Sequence, residues 1–255
     1  MSVKTIIMQN FSKSFQLIFS RSLITSAIRT AVKSNKKKNQ HTIVIVPPTH
    51  NDYNDVLKFM KKEYIPNEPT CKSLGITSCS ILMDRILLNL SQGYSLIAKC
   101  KNTGNIMGVA INEKTSPWDA DLVDKIAHSV QCPNLRKVLR FYAFLERAPN
   151  IFDKYKVHEV FEIANLGVAE NSQNLGIATR LVKESKNIAA SKGFSILRVD
   201  ATSFYTARIC EKLNMESILE IPYDSYLDAD RQPVFKVPKP HTGVKVYIMK
   251  LGAKK

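Results

Sequence analysis

Hydrophobic positions change their period along the chain, and each change marks an element. Residues 42–48 alternate Ile and Val and stop at Pro47 and Pro48, which predicts a short strand. From Asn51, a candidate cap, Tyr53, Val56, Leu57, Met60 and Tyr64 fall at helical spacing, so a helix is expected through about Tyr64. Pro66 and Pro69 break the chain, and Ile81, Leu82, Ile86, Leu87 and Leu90 predict a second helix over about 78–90. Two apolar runs, 94–100 and 106–112, flank a turn at 101–104, and a hairpin is the simplest reading. Residues 115–155 read as a helical insertion punctuated by prolines, with Leu135, Val138, Leu139, Tyr142 and Leu145 on one helix face.

Beyond the insertion, strands and helices alternate. A strand over 157–168 precedes a helix from about Gln173 to Lys192, ended by Gly193. A strand at 195–201, a short helix at 205–213 and a strand at 216–221 follow, with Asn214 where left-handed backbone is useful. A loop at 222–242 leads to a last strand at 244–251. This order predicts an α/β fold (α+β mixed), with a mixed sheet and helices on both faces.

Charge divides the chain. The net charge is +15, and Lys4, Lys13, Arg21, Arg29, Lys33, Lys36, Lys37 and Lys38 lie in a stretch without Asp or Glu. The expected organisation is a basic N-terminal tail or targeting segment, 1–40, and a folded domain, 41–255, carrying the insertion at about 115–155. Ser-rich and interleaved with Phe11, Phe15, Leu17, Ile18, Leu23 and Ile24, the tail fits a mitochondrial transit peptide. It fits a basic tail on a cytosolic enzyme equally well, so the expected location is cytoplasmic or mitochondrial.

The remainder is mildly basic and carries no zinc-finger or RNA-binding signature, so no nucleic-acid partner is expected. No uncharged apolar run reaches eighteen residues, so no transmembrane segment is expected. Cys71, Cys79, Cys100, Cys132 and Cys210 form no CxxC pair, and the five histidines show no HxxxH spacing. Neither a disulfide framework nor a metal site is expected, which suits a reducing compartment.

The chemistry concentrates where the strand at 157–168 meets the next helix. Gln173, Gly176 and Ala178 form Gln-x-x-Gly-x-Ala at that junction. The first N–H groups of a helix lack internal partners and carry the positive end of its dipole, so small residues there let a diphosphate approach. The same small residues also serve helix–strand packing.

Three further stretches accompany this motif: Asn67-Glu68-Pro69, residues 201–215 beginning Ala-Thr-Ser-Phe-Tyr-Thr, and residues 240–247 beginning Pro-His-Thr-Gly. Together they resemble the GNAT superfamily of acetyltransferases over about residues 42–251, and among them the insect arylalkylamine (dopamine-type) N-acetyltransferases. The resemblance implies a central mixed sheet of about seven strands and acetyl-CoA as acyl donor, without a metal. It implies a small primary amine, arylalkyl in type, as acceptor, and a monomer is expected.

By the same resemblance, Gln173, Asn174, Leu175, Gly176, Ile177, Ala178 and Thr179 cradle the CoA pyrophosphate, while Leu166, Gly167 and Val168 offer backbone groups to the pantetheine and the acetyl carbonyl. Glu68 becomes the proton acceptor, needed because an alkylamine is mostly ammonium at neutral pH. Thr202 and Thr206 match a proton relay usually built from serine, and Tyr205 the general acid near the thioester sulfur. Either threonine serves equally as a local helix cap.

Two departures stand out. Asn174 replaces a usual glycine, and Thr70 a usual leucine on the amine side. A covalent Cys–His route would need Cys71 and His241 adjacent, which nothing in the sequence indicates. The alternatives are an acyltransferase for a polyamine, amino acid or protein lysine, or a CoA-binding module with little catalysis. A multiply charged acceptor would need an acidic pocket, of which the mildly basic core gives no sign, leaving the insertion at 115–155 as the segment able to supply one.

Overall fold

The computed structural model describes residues 43–77 and 79–252. The basic segment 1–40, and the targeting role expected of it, lie outside the described residues. Val- and Ile-rich runs form β1 (Ile43–Val46), β2 (Leu96–Cys100), β3 (Ile106–Thr115), β4 (Val160–Val168), β5 (Ile196–Ala201), β6 (Glu216–Pro222) and β7 (Gly243–Lys250). They make one seven-stranded sheet in the order β1-β2-β3-β4-β5-β7-β6. The pairing of β4 with β5 is parallel, and those of β2–β3, β3–β4, β5–β7 and β6–β7 are antiparallel. The mixed α/β sheet expected from the sequence is the sheet observed.

The helices are α1 (Tyr53–Phe59), α2 (Pro69–Ser73), α3 (Ser80–Ser91), α4 (Asp119–Ser129), α5 (Pro133–Arg147), α6 (Ile151–Tyr155), α7 (Ile177–Ser191) and α8 (Phe204–Lys212). The strand period of two sends alternate side chains to opposite faces. On one face Ile97, Val109 and Ile111 pack under α1 and α3 through Val56, Phe59, Ile86 and Leu90. Farther along that face Val160, Ile196, Val246 and Ile248 pack under α5 through Leu135, Val138 and Leu139. The insertion is therefore the roof of this half of the sheet.

α7 covers the other face. Asn112 Nδ2 donates to Ser185 Oγ at 2.8 Å across that contact. A Cβ on Gly108 would lie 2.8 Å from Ile177 Cγ2, so glycine in β3 lets the first turn of α7 sit directly on the sheet. Among the described residues, no helix is long and apolar enough to cross a membrane.

Three expected boundaries are corrected. Thr49, not Asn51, forms the first cap: its N–H and hydroxyl both donate to Asp52 Oδ2 at 2.8 Å, and a 3-10 turn, His50–Asp52, precedes α1. The helical run to Tyr64 is not uniform, because Met60–Tyr64 is a π turn. There the Tyr64 hydroxyl accepts from Asn165 Nδ2 at 3.2 Å and Glu63 Oε2 accepts from the Glu170 N–H at 3.3 Å, so contacts to β4 and its following loop accompany the widened turn. Finally, α7 begins at Ile177 rather than Gln173, since Asn174 (φ 62°) and Gly176 (φ 75°) are left-handed and cannot join a right-handed helix.

Candidate functional site

The middle of the sheet opens. The parallel pairing of β4 with β5 is confined to Phe161–Leu197 and Glu162–Arg198, although the strands run on to Val168 and Ala201. On its other edge β4 stays paired with β3, where Ile111 opposes Asn165 and Asn112 opposes Ile163. Ala164 is therefore an extra, bulged residue, and a bulge bends its strand. Past Ile163 the β5-side edge of β4 has no strand partner among the described residues. Leu166, Gly167 and Val168 lie on this stretch, paired with Ala110, Val109 and Gly108 of β3. A Cβ on Gly167 would stand 3.3 Å from both Phe59 and Tyr64, so a larger residue would crowd those two rings.

Four residues on, the chain makes the turn that the motif predicted. A 3-10 segment, Glu170–Ser172, leads to extended Gln173, then to left-handed Asn174 and Gly176. The Arg180 N–H donates to the Gly176 carbonyl at 3.1 Å. The amides of Ile177, Ala178 and Thr179 thus precede any acceptor in their own helix, and no side chain caps it. Gln173, Asn174 and Gly176 are exposed, Leu175, Ala178 and Thr179 half-buried, and Ile177 anchors the turn in the core. The position needs a left-handed residue, and asparagine is among the side chains that tolerate this. The substitution of Asn174 for glycine keeps the turn.

Glu68 lies beneath the opposite helical layer, 4% exposed. Pro69 follows it, and its own backbone is extended (φ −65°, ψ 127°), which makes it the N-cap of α2. Its Oε2 accepts from the Cys71 N–H at 2.7 Å and from the Thr70 hydroxyl at 2.5 Å. Thr70 is fully buried, and its Oγ1 lies 3.3 Å from the Tyr142 hydroxyl. The other oxygen, Oε1, is buried without a hydrogen-bond partner. Burial, and then the charge of Glu68, push the phenols of Tyr64, Tyr142 and Tyr223 well above their ordinary range. These hydroxyls therefore act only as protonated groups at neutral pH. The same two causes raise the Cys71 thiol, which is a poor nucleophile as a result.

Sequence reasoning missed this ring of hydroxyls. Tyr64 and Tyr142 read only as apolar positions on helix faces, and their convergence depends on how helices pack.

The remaining candidates separate into two groups. Thr202 lines a cavity of about 90 Å³ together with Tyr64, Cys71, Tyr142 and Asn165, and its carbonyl accepts from the Tyr223 hydroxyl at 2.6 Å. Thr206 and Tyr205 sit in the first turn of α8. Thr206 Oγ1 lies 2.9 Å from Ser203 Oγ, and Ser203, rather than either threonine, caps the helix by accepting from the Thr206 N–H at 3.0 Å. Tyr205 is 62% exposed and meets His241 edge-on at 5.7 Å. His241 Nδ1 accepts from the Phe204 N–H at 3.1 Å, and partial burial lowers its pKa. A neutral His241 ring therefore carries its proton on Nε2.

The cavity has a second, charged wall that the sequence reading did not identify. Arg85, Glu113, Glu146, Glu162 and Asp200 all line it. The available signal was Glu162 and Arg198 standing among apolar residues at inward-facing strand positions, where charges are rare.

No family model matches the chain. It is similar to the crystal structure of arylalkylamine N-acetyltransferase 2 from Aedes aegypti, with a TM-score of 0.78 and 24% identity over 82% of this chain and 99% of that one. It is also similar to an agmatine N-acetyltransferase (TM-score 0.76, 21% identity, 82% and 100% of the two chains). A polyamine N-acetyltransferase of Drosophila melanogaster, which forms N-acetylagmatine, gives a TM-score of 0.74 at 21% identity over the same shares. With its seven-stranded mixed sheet and an overlap that takes in nearly the whole of each of these proteins, the chain has the fold of the GNAT N-acetyltransferases.

Proposed function

We propose that this chain is an acetyl-CoA-dependent N-acetyltransferase that acetylates a small primary amine by direct attack in a ternary complex. The observation that carries this reading is Glu68, a buried carboxylate with one oxygen fixed by two donors and the other without a partner. Such an oxygen is placed to take a proton, directly or through a water.

The residues present fit the acyl donor. The open amides of Ile177, Ala178 and Thr179 suit its diphosphate, and the unpaired edge of β4 from Ala164 to Val168 suits its amide-bearing arm. When bound, acetyl-CoA supplies a thioester carbonyl for attack. Residues of this chain do the rest. Glu68 accepts a proton from the ammonium, whose ordinary pKa is about 10.4. Backbone N–H groups at Leu166–Val168 support the carbonyl oxygen as charge develops on it. As the C–N bond forms and the C–S bond breaks, the nitrogen gives up its second proton, which the proposed relay of Thr202 and Thr206 passes to Tyr205, while the Tyr205 hydroxyl, the proposed donor, gives its own proton to the leaving thiolate. The catalytic unit is residues 41–255, with 1–40 as an accessory tail.

The test is release of CoA thiol across a panel of arylalkyl and aliphatic amines. The variant Glu68→Ala is expected to lose about a hundredfold to ten-thousandfold in turnover at neutral pH, with CoA affinity retained by calorimetry. Undiminished turnover in that variant removes Glu68 from the mechanism. Binding of CoA with no thiol release from any amine would instead favour a CoA-binding module.

A further inference from the structure

The charged wall of the cavity is built across three strands. Glu113 of β3 stands beside Glu162 of β4, and Glu162 beside Arg198 of β5. Asp200 follows on the same face, two residues beyond Arg198. Arg85 of α3 and Glu146 of α5 close over the row. Four carboxylates thus meet two guanidiniums, and the pairing is uneven.

Arg85 takes Glu113 at 3.1 Å. Arg198, 1% exposed, grips Asp200 through two bonds of 2.8 and 2.6 Å, pairs with Glu146, and donates to the Leu145 carbonyl at 2.9 Å. Glu162 is left over. It is 6% exposed, its Oε2 has no hydrogen-bond partner, and the nearest Arg198 nitrogen stands 3.9 Å away.

We infer that Glu162, with Glu113, Glu146 and Asp200 about it, receives a second cationic group of the acceptor, an ammonium or guanidinium, so that the preferred acceptor is an aliphatic dication. This rests on the transferase reading and narrows its substrate class. The same cavity is lined by Tyr64, Cys71 and Tyr142, groups around Glu68, as well as by the acid row. Leu82, Ile86, Leu139 and Leu145 supply apolar walls suited to the methylenes between two nitrogens.

Burial, and then Glu146, raise the Glu162 pKa; Asp200 and Glu113 add to this, while Arg198 opposes it. Arg85 also faces the row, and Asp119 acts on it through Glu146 and Arg85. An arriving cation favours the ionised form, so Glu162 gives up a proton as the dication binds.

The experiment compares putrescine with butylamine, which differ by one terminal amine. The expected kcat/KM ratio favours putrescine by about tenfold or more, and in Glu162→Gln the ratio collapses toward unity. Calorimetric titration of the CoA-bound wild-type protein in two buffers of different ionisation heat needs no variant. Putrescine is expected to show an additional buffer-dependent heat that butylamine lacks. Thiol release at equal efficiency from both amines, or equal buffer dependence for both, overturns the subsite and leaves the transferase reading standing. Absence of thiol release from every amine overturns that reading, while the calorimetry still reports on Glu162.

Discussion

In the proposed mechanism the two oxygens of Glu68 have different tasks. Oε2 is occupied by Thr70 and Cys71, which hold the carboxylate in one orientation, and only Oε1 is left for chemistry. Thr70 is thus a positioning residue, where a leucine would leave Oε2 one donor short. Thr70→Val is expected to lower kcat by about tenfold with the Kd for CoA unchanged, and Thr70→Ser to restore it; steady-state kinetics with calorimetry read both. Glu162 makes a different prediction. Its folded pKa is raised, so above the ordinary carboxylate value of 4.5 the native state holds a proton that the unfolded chain has lost. Stability therefore falls as pH rises through that window. Glu162→Gln is expected to flatten the slope, measured as urea midpoints between about pH 5 and 8. Of these residues, Glu68 was singled out as a candidate in the sequence because a local motif flags it. Glu162 was not, because its surroundings come from three strands and two helices.

At the scale of elements, two glycines shape the turn proposed to hold the diphosphate. Gly176 holds a left-handed backbone at the start of α7, and Gly108 gives α7 room to sit on β3. Gly176→Ala is expected to cost about 1–2 kcal/mol of stability and to weaken CoA binding, since a strained turn no longer presents its amides together. Gly108→Val pushes against Ile177 and is expected to cost about 1–3 kcal/mol, again with weaker CoA binding; thermal unfolding and calorimetry measure both effects. Much of this level was readable in sequence. Gly193 (φ 84°) and Asn214 (φ 55°) take the left-handed conformation expected of them just past their helices. The π turn at Met60–Tyr64 was not readable, because hydrophobic spacing over five residues does not separate it from an α-helix.

For the whole molecule, ligand binding and folding are linked. CoA that binds only the folded state is expected to add about 2.7 kcal/mol of stability at a hundred times its Kd. A protein lacking residues 1–40 should show the same gain in a thermal-shift titration if the proposed 41–255 unit is complete. A gain that disappears with the tail would place part of the CoA site in that segment. The cavity that brings Tyr64, Cys71 and Tyr142 together with the acid row lies where β4 and β5 stop pairing after Glu162 and Arg198, with Leu139, Tyr142, Leu145 and Glu146 of α5 in its wall.

By itself the chain determined its alternation of strands and helices, the glycine and asparagine positions that end helices, and the turn that opens α7. These follow from backbone preferences and side-chain period, which act between near neighbours. Tertiary structure alone decided which oxygen of Glu68 stays open, which hydroxyls gather round it, and that Glu162 is left without a close partner. Those outcomes depend on strand register and helix packing between residues far apart in sequence, and on the burial that makes an unpartnered carboxyl group matter.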